Sequence, residues 1–166
     1  MKIDFSKFHE SEYQYDDSIY GVITLNDGGV QKDIDVEICP DDDEKIADSS
    51  KDALQFFVDN YEKYREVYLE ALLCYYEGHR ATLGITGEET VDGYPYITTV
   101  EELLKTVDFN GLKVHSEKKD GHHAIGVFFD TTWDPEHGAG VLMAGFAVLD
   151  TGNQDHAALP YALHKK

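Results

Sequence analysis

The residues of this chain best suited to metal chemistry are His122, His123 and His137, with Glu136 beside the last of them. Two histidines four apart on one helix face, joined by a third ligand, would mark a zinc site. Here His122 and His123 are adjacent, so on a strand they project to opposite faces, and at most one could join His137. Cys39 and Cys74 lack the paired spacing of a structural zinc site. The run Asp41, Asp42, Asp43 and Glu44 has carboxylates for a hard cation, but not the turn glycine and late glutamate of a calcium loop. It reads as a solvated acidic turn. The chain has no Gly-x-Ser-x-Gly, no phosphate-binding loop and no dinucleotide fingerprint. No catalytic residue, metal or cofactor is therefore assigned. A metal-dependent enzyme using His137 and Glu136 is the alternative reading.

Charge points elsewhere. The chain carries 33 Asp and Glu against 14 Lys and Arg, a net charge of -19. Such a surface repels phosphate backbones and anionic lipid, and the only basic clusters are the pairs Lys118–Lys119 and Lys165–Lys166. Nucleic acid and membrane are thus excluded as expected partners. A basic protein would be attracted and would associate fast at low salt. Glu62, Glu66 and Glu70 stand at i,i+4 spacing, where like charges cost a helix a few tenths of a kcal/mol per pair, roughly. The stripe is either a solvated face or a docking face for a cationic protein.

These residues must be held by elements that the patterning predicts. The chain has 166 residues, 42% of them hydrophobic, with 11 Tyr and 8 Phe, which suits one folded domain over 1–166. Ile19 to Leu25 reads as a strand, Asn26-Asp27-Gly28-Gly29 as a turn, and Ile34, Val36 and Ile38 alternate with Asp33, Asp35 and Glu37 on a returning strand. This gives an N-terminal hairpin over 19–38. Ser49 or Ser50 then caps a helix in which Leu54, Phe57, Val58, Tyr61, Tyr64, Tyr68, Leu72 and Tyr75 recur at spacings of three and four. Gly78 is the expected stop, giving one long helix over about 50–77, which either crosses the whole domain or breaks. Thr99 and Glu102 form a capping box for a short helix. Strands around Leu112–Val114, Ala124–Phe129, Val141–Met143 and Phe146–Leu149 make a C-terminal sheet over about 107–150. The fold class expected is α+β: a mainly antiparallel sheet with one long helix and one short helix packed on it. The opening residues show no secretory signal and no run is apolar enough to span a membrane, so a cytoplasmic protein with reduced, buried thiols is expected.

The most distinctive segment is Trp133-Asp134-Pro135-Glu136-His137-Gly138-Ala139-Gly140-Val141. Pro135 and Gly138 suit a tight turn between strands, with Trp133 capping the sheet edge. If exposed, Trp133, Glu136 and His137 could instead contact a partner, since Trp is favoured in binding hot spots. The segment resembles a Trp-Asp-x-Glu-His-Gly-x-Gly-Val stretch in the domain-of-unknown-function family numbered 2004, through Trp133, Asp134, Glu136, His137, Gly138, Gly140 and Val141. Ile125–Phe129, Gly145 and Gly152 fit the same pattern over roughly the last 60 residues. The resemblance implies no established activity, but some bacterial relatives accompany toxin systems as immunity proteins. The combined expectation is a non-catalytic acidic protein-binding module, of unstated oligomeric state, that neutralises a basic toxin through Glu62, Glu66, Glu70, Trp133, Glu136 and His137.

Overall fold

The computed structural model describes residues 1–41 and 46–164. Among these described residues, seven strands form one sheet in chain order: β1 (His9–Glu10), β2 (Ile19–Asp27), β3 (Val30–Ile38), β4 (Val107–Lys119), β5 (His122–Thr131), β6 (Ala139–Ala144) and β7 (Ala147–Gly152). All neighbours run antiparallel except β3 and β4, which are parallel. A parallel pair needs a long crossover. It is supplied by α1 (Asp48–Asp59), α2 (Tyr61–Thr82) and α3 (Val100–Leu104), and α4 (Asp155–Ala158) follows β7. At the β2–β3 turn, Gly28 and Gly29 both have positive φ, and the Asn26 side chain accepts from the Gly29 amide at 2.8 Å.

The expectation of one long and one short helix on the sheet is corrected in three ways. First, the helix breaks at Asn60, whose φ of -116° and ψ of 26° end α1 and begin α2. The cause is local: the Asn60 side-chain amide donates to the Phe56 carbonyl at 2.9 Å, while the Asn60 carbonyl accepts from Lys63 and Tyr64. Second, Gly78 does not stop the helix. The stop is Gly84, with φ of +80°, where the amides of Gly84 and Ile85 reach back to the carbonyls of Ala81 and Arg80 in a Schellman arrangement. Third, α4 covers part of the other sheet face and has no counterpart in the sequence reading.

The main core lies between α1, α2 and one sheet face. Ile23, Ile34, Val36, Ile38, Leu112, Val114, Val127, Phe129 and Val141 meet Leu54, Phe57, Tyr64, Tyr68 and Leu72 in one buried cluster. Tyr68 packs on Phe109 and Phe129, and Tyr61 stacks on Phe109, so the aromatic stripe of α2 is the element that fixes the sheet against the helices. On the opposite face α4 lies close because Gly140 has no side chain there: a Cβ would stand 2.7 Å from the Ala157 Cβ. The rest of that face opens as a groove of about 590 Å³ lined by Tyr20, Val22, Asp35, Glu37, Lys113 and Phe128, among others.

Candidate functional site

The acidic stripe of α2 is exposed. Glu62, Glu66 and Glu70 point away from the buried face that carries Tyr61, Tyr64, Tyr68 and Leu72. The three carboxylates line one open groove of about 750 Å³ with Lys63, Arg65, Leu69, Leu73 and Val100. At 1.5 Å per residue they are spaced about 6 Å apart along the helix. The groove therefore combines a carboxylate row with aliphatic side chains from α2 and from the start of α3.

The loop after β5 is built around a buried indole. Trp133 is 3% exposed, so its ring presents no contact surface. It packs on Tyr75, Tyr76, His79 and Tyr94, and its Nε1 donates to Thr106 Oγ1 at 3.1 Å. The reading of Trp133 as an exposed hot spot is thereby corrected: the residue anchors the loop. Pro135, Glu136 and His137 are exposed at its apex. His137 pairs through Nδ1 with Asp134 Oδ1 at 3.1 Å, and the Asp134 carbonyl accepts from the Gly138 amide at 2.8 Å. Gly138 adopts φ of +58°, a region that favours glycine, and any Cβ there would strike the Phe129 carbonyl. Trp133, Asp134, His137 and Gly138 thus each have a structural task in the turn.

A charged clamp joins the hairpin to α2. Asp27 Oδ1 accepts from Arg65 Nε at 2.7 Å and from the Tyr61 hydroxyl at 2.9 Å, and Oδ2 lies 3.3 Å from Lys32 Nζ. Burial raises the Asp27 pKa, but the Arg65 and Tyr61 hydrogen bonds outweigh it and hold the carboxyl below its ordinary range. Tyr61 also shares a 2.7 Å hydrogen bond with Tyr68, so the clamp continues into the core.

The histidines fall in unexpected places. His122 and His123 both line one cavity of about 310 Å³, because His122 sits at the strand end beside the Asp120 and Gly121 turn, where both residues have positive φ. Ser49 of α1 and His123 Nε2 are 2.8 Å apart, and His123 Nδ1 is 2.8 Å from the His115 carbonyl. His115 in turn is buried, with Nε2 2.8 Å from the Ala157 carbonyl. Burial lowers the pKa of both His115 and His123. This Ser49–His123 contact spans 74 positions of sequence, and the sequence reading missed it. The only trace in the sequence was Ser49 at a predicted helix start and His123 just before the predicted strand Ala124–Phe129.

Among the described residues, no three His, Cys, Asp or Glu side chains stand close enough to hold a metal ion together. Asp42, Asp43 and Glu44 of the acidic run lie outside the described residues. Cys74 is exposed, which corrects the expectation of two buried thiols; Cys39 is partly buried, and burial pushes its thiol up to about 11. Among the described residues, no helix is long and apolar enough to cross a membrane.

The fold and these sites define a sheet-rich α+β protein with an acidic helix groove. Residues 5–159 match the family described as a domain of unknown function, DUF6985, and the chain belongs to that family. This corrects the resemblance to the family numbered 2004: the Trp133–Val141 motif does not carry that membership. No curated protein and no solved structure matches the chain.

Proposed function

We propose that this protein is a binding module whose α2 groove docks a basic segment of a partner protein. The observation that carries this reading is the groove itself, where Glu62, Glu66 and Glu70 stand beside the partly exposed Leu73 and Val100. A solubilising face has no need of aliphatic side chains beside its charges. A recognition groove uses both: apolar contacts for affinity, and carboxylates for steering and register. The net charge of -19 extends the attraction beyond the groove. The matching ligand is a segment with apolar residues and with Lys or Arg repeating about every 6 Å, the rise of four helical residues. Glu136 and His137, held exposed by the buried Trp133, are a secondary contact in this reading. A toxin-neutralising role drew on the resemblance together with the acidity, and with the family corrected only the acidity remains, which speaks to a basic partner and not to a toxin. The alternative of an enzyme acting through His137 and Glu136 is weaker, because the partner the structure gives His137 is Asp134, within its own turn.

The test is capture with the full chain at low salt, followed by titration of the purified captured protein against wild type and the triple variant E62K/E66K/E70K. Surface charge pairs are worth about 0.2–1 kcal/mol each, and reversal replaces attraction by repulsion. The triple variant should therefore bind roughly 10- to 100-fold more weakly, at about 1.4 kcal/mol per tenfold. Wild-type affinity should fall as salt rises. Equal affinity of the two proteins, or binding indifferent to salt, would refute the proposal.

A further inference from the structure

We propose that Ser49 and His123 form a nucleophile–base pair that hydrolyses small uncharged carboxylic esters, at a site separate from the α2 groove. The geometry begins with the tautomer. A carbonyl oxygen only accepts, so His123 Nδ1, 2.8 Å from the His115 carbonyl, carries the ring proton. That leaves Nε2 of the neutral ring with its lone pair, 2.8 Å from Ser49 Oγ, which donates to it. A hydroxyl donating to a bare imidazole nitrogen, with the ring fixed from behind, is the arrangement that activates a serine. The orienting group here is a main-chain carbonyl instead of a carboxylate. His115 is itself fixed by its bond to the Ala157 carbonyl, so the support runs through β4 to α4. His123 is 5% exposed whereas Ser49 is exposed, so the base is shielded and the nucleophile is reachable.

Both residues line the 310 Å³ cavity, together with Ala53, Phe56, Tyr64 and Ile125. That volume and lining suit a short apolar acyl group. Asp52 also lines the cavity and the whole chain is strongly anionic, which disfavours an anionic substrate. In the reaction, Ser49 Oγ bonds to the ester carbonyl carbon as its proton passes to His123 Nε2. The carbon–alkoxy bond then breaks, and the alcohol leaves with that proton. Water attacks the acyl-serine carbon and gives a proton to Nε2. The Oγ–carbon bond breaks, the acid departs, and the proton returns to Oγ. The net change is ester plus water to acid plus alcohol.

The test is labelling of the intact chain with a fluorophosphonate, which phosphonylates an activated serine with loss of fluoride, alongside hydrolysis of p-nitrophenyl butyrate. One adduct mapped to Ser49 is expected, absent in S49A, and formed at least ~100-fold more slowly in H123Q, since positioned general bases contribute about 10²–10⁴-fold. E88Q, at an exposed position that lines neither this cavity nor the α2 groove, should label at the wild-type rate. Labelling no faster than that of heat-unfolded protein, an adduct at another residue, or an H123Q rate equal to wild type would each overturn the proposal. If H123Q does not fold, S49C decides the matter. A thiol paired with His123 should react with iodoacetamide at pH 7 at least ~10-fold faster than the exposed Cys74 of the same chain. A ratio near one would overturn the proposal equally.

Discussion

Replacing Asp27 by alanine tests whether the hairpin and α2 are held together by charge as well as by aromatic packing. The substitution removes the acceptor of the Arg65 bond at 2.7 Å and the Tyr61 bond at 2.9 Å, and strands Lys32 at one of its two partners. Hydrogen bonds to charged groups contribute about 1.5–3 kcal/mol each, and breaking a fully buried pair costs about 3–5 kcal/mol. The Arg65 and Lys32 side chains retain 20% and 26% of their exposure, so water recovers part of that loss. The expected cost of D27A is about 2–4 kcal/mol, which for a chain of this size lowers Tm by about 6–12 °C. D27N keeps an acceptor and loses the charge, so it should cost about half as much, on the same hydrogen-bond scale. The double variant D27A/R65A should be destabilised by less than the sum of the single variants by about 1–2 kcal/mol, because it leaves no unpaired guanidinium. The folded pKa of Asp27 lies below its ordinary value of 3.8, so its contribution is complete above pH 3.8 and disappears as pH falls through the lower folded value. Chemical denaturation of the five proteins, wild type, D27A, D27N, R65A and D27A/R65A, at pH 7 and at pH 3 provides the measurement. D27A within 0.5 kcal/mol of wild type, roughly the range of an uninvolved surface substitution, would refute the argument.

Trp133, the single tryptophan, should fluoresce from an apolar site in the folded chain and shift to the red on unfolding; W133A should cost about 3–5 kcal/mol, and an unshifted spectrum or a smaller loss would place the ring outside the core. The folded pKa values of His115 and His123 are both depressed from 6.5, so their neutral forms favour folding. Stability should be complete above pH 6.5 and decline as pH falls through the lower folded values, and H115Q should flatten that decline in thermal melts between pH 7 and pH 5.

The parts of the fold legible in the sequence are those governed by neighbours a few residues apart. Ile34, Val36 and Ile38 alternate with acidic residues and are buried in β3. Gly28 and Gly29 supply the two positive φ values that the two-residue turn requires. Thr99 Oγ1 accepts from the Glu102 amide at 3.2 Å, so the capping box was visible as a pair of residues. The break at Asn60 was harder to see because the apolar spacing runs across it: Phe57, Tyr61 and Tyr64 keep one stripe on both sides of the change in direction. The decisive event is a side-chain amide competing for the Phe56 carbonyl, which periodicity does not register. Gly78 and Gly84 were equally good stops by type. Only the second has a positive φ, while Gly78 sits inside α2 with open space where its side chain would be.

The same division separates the two candidate sites. Glu62, Glu66 and Glu70 share a helix face by spacing alone, so the sequence could present them; Leu73 and Leu69 flank them for the same reason. Val100 joins the groove only through the approach of α3 to α2, which no local pattern encodes. Ser49 and His123 depend wholly on such an approach, since the crossover from β3 to β4 must lay the start of α1 beside the start of β5. The chemistry also depended on long-range structure. An isolated histidine has two interchangeable nitrogens, and it is the His115 carbonyl across the β4–β5 ladder that assigns the proton to one and leaves the other facing Ser49. Weighing each histidine by its sequence neighbours directed attention to His137, whose partner Asp134 is local and whose bond closes a turn. The histidine whose surroundings resemble a reactive site is the one whose partners all lie on other elements or across a ladder.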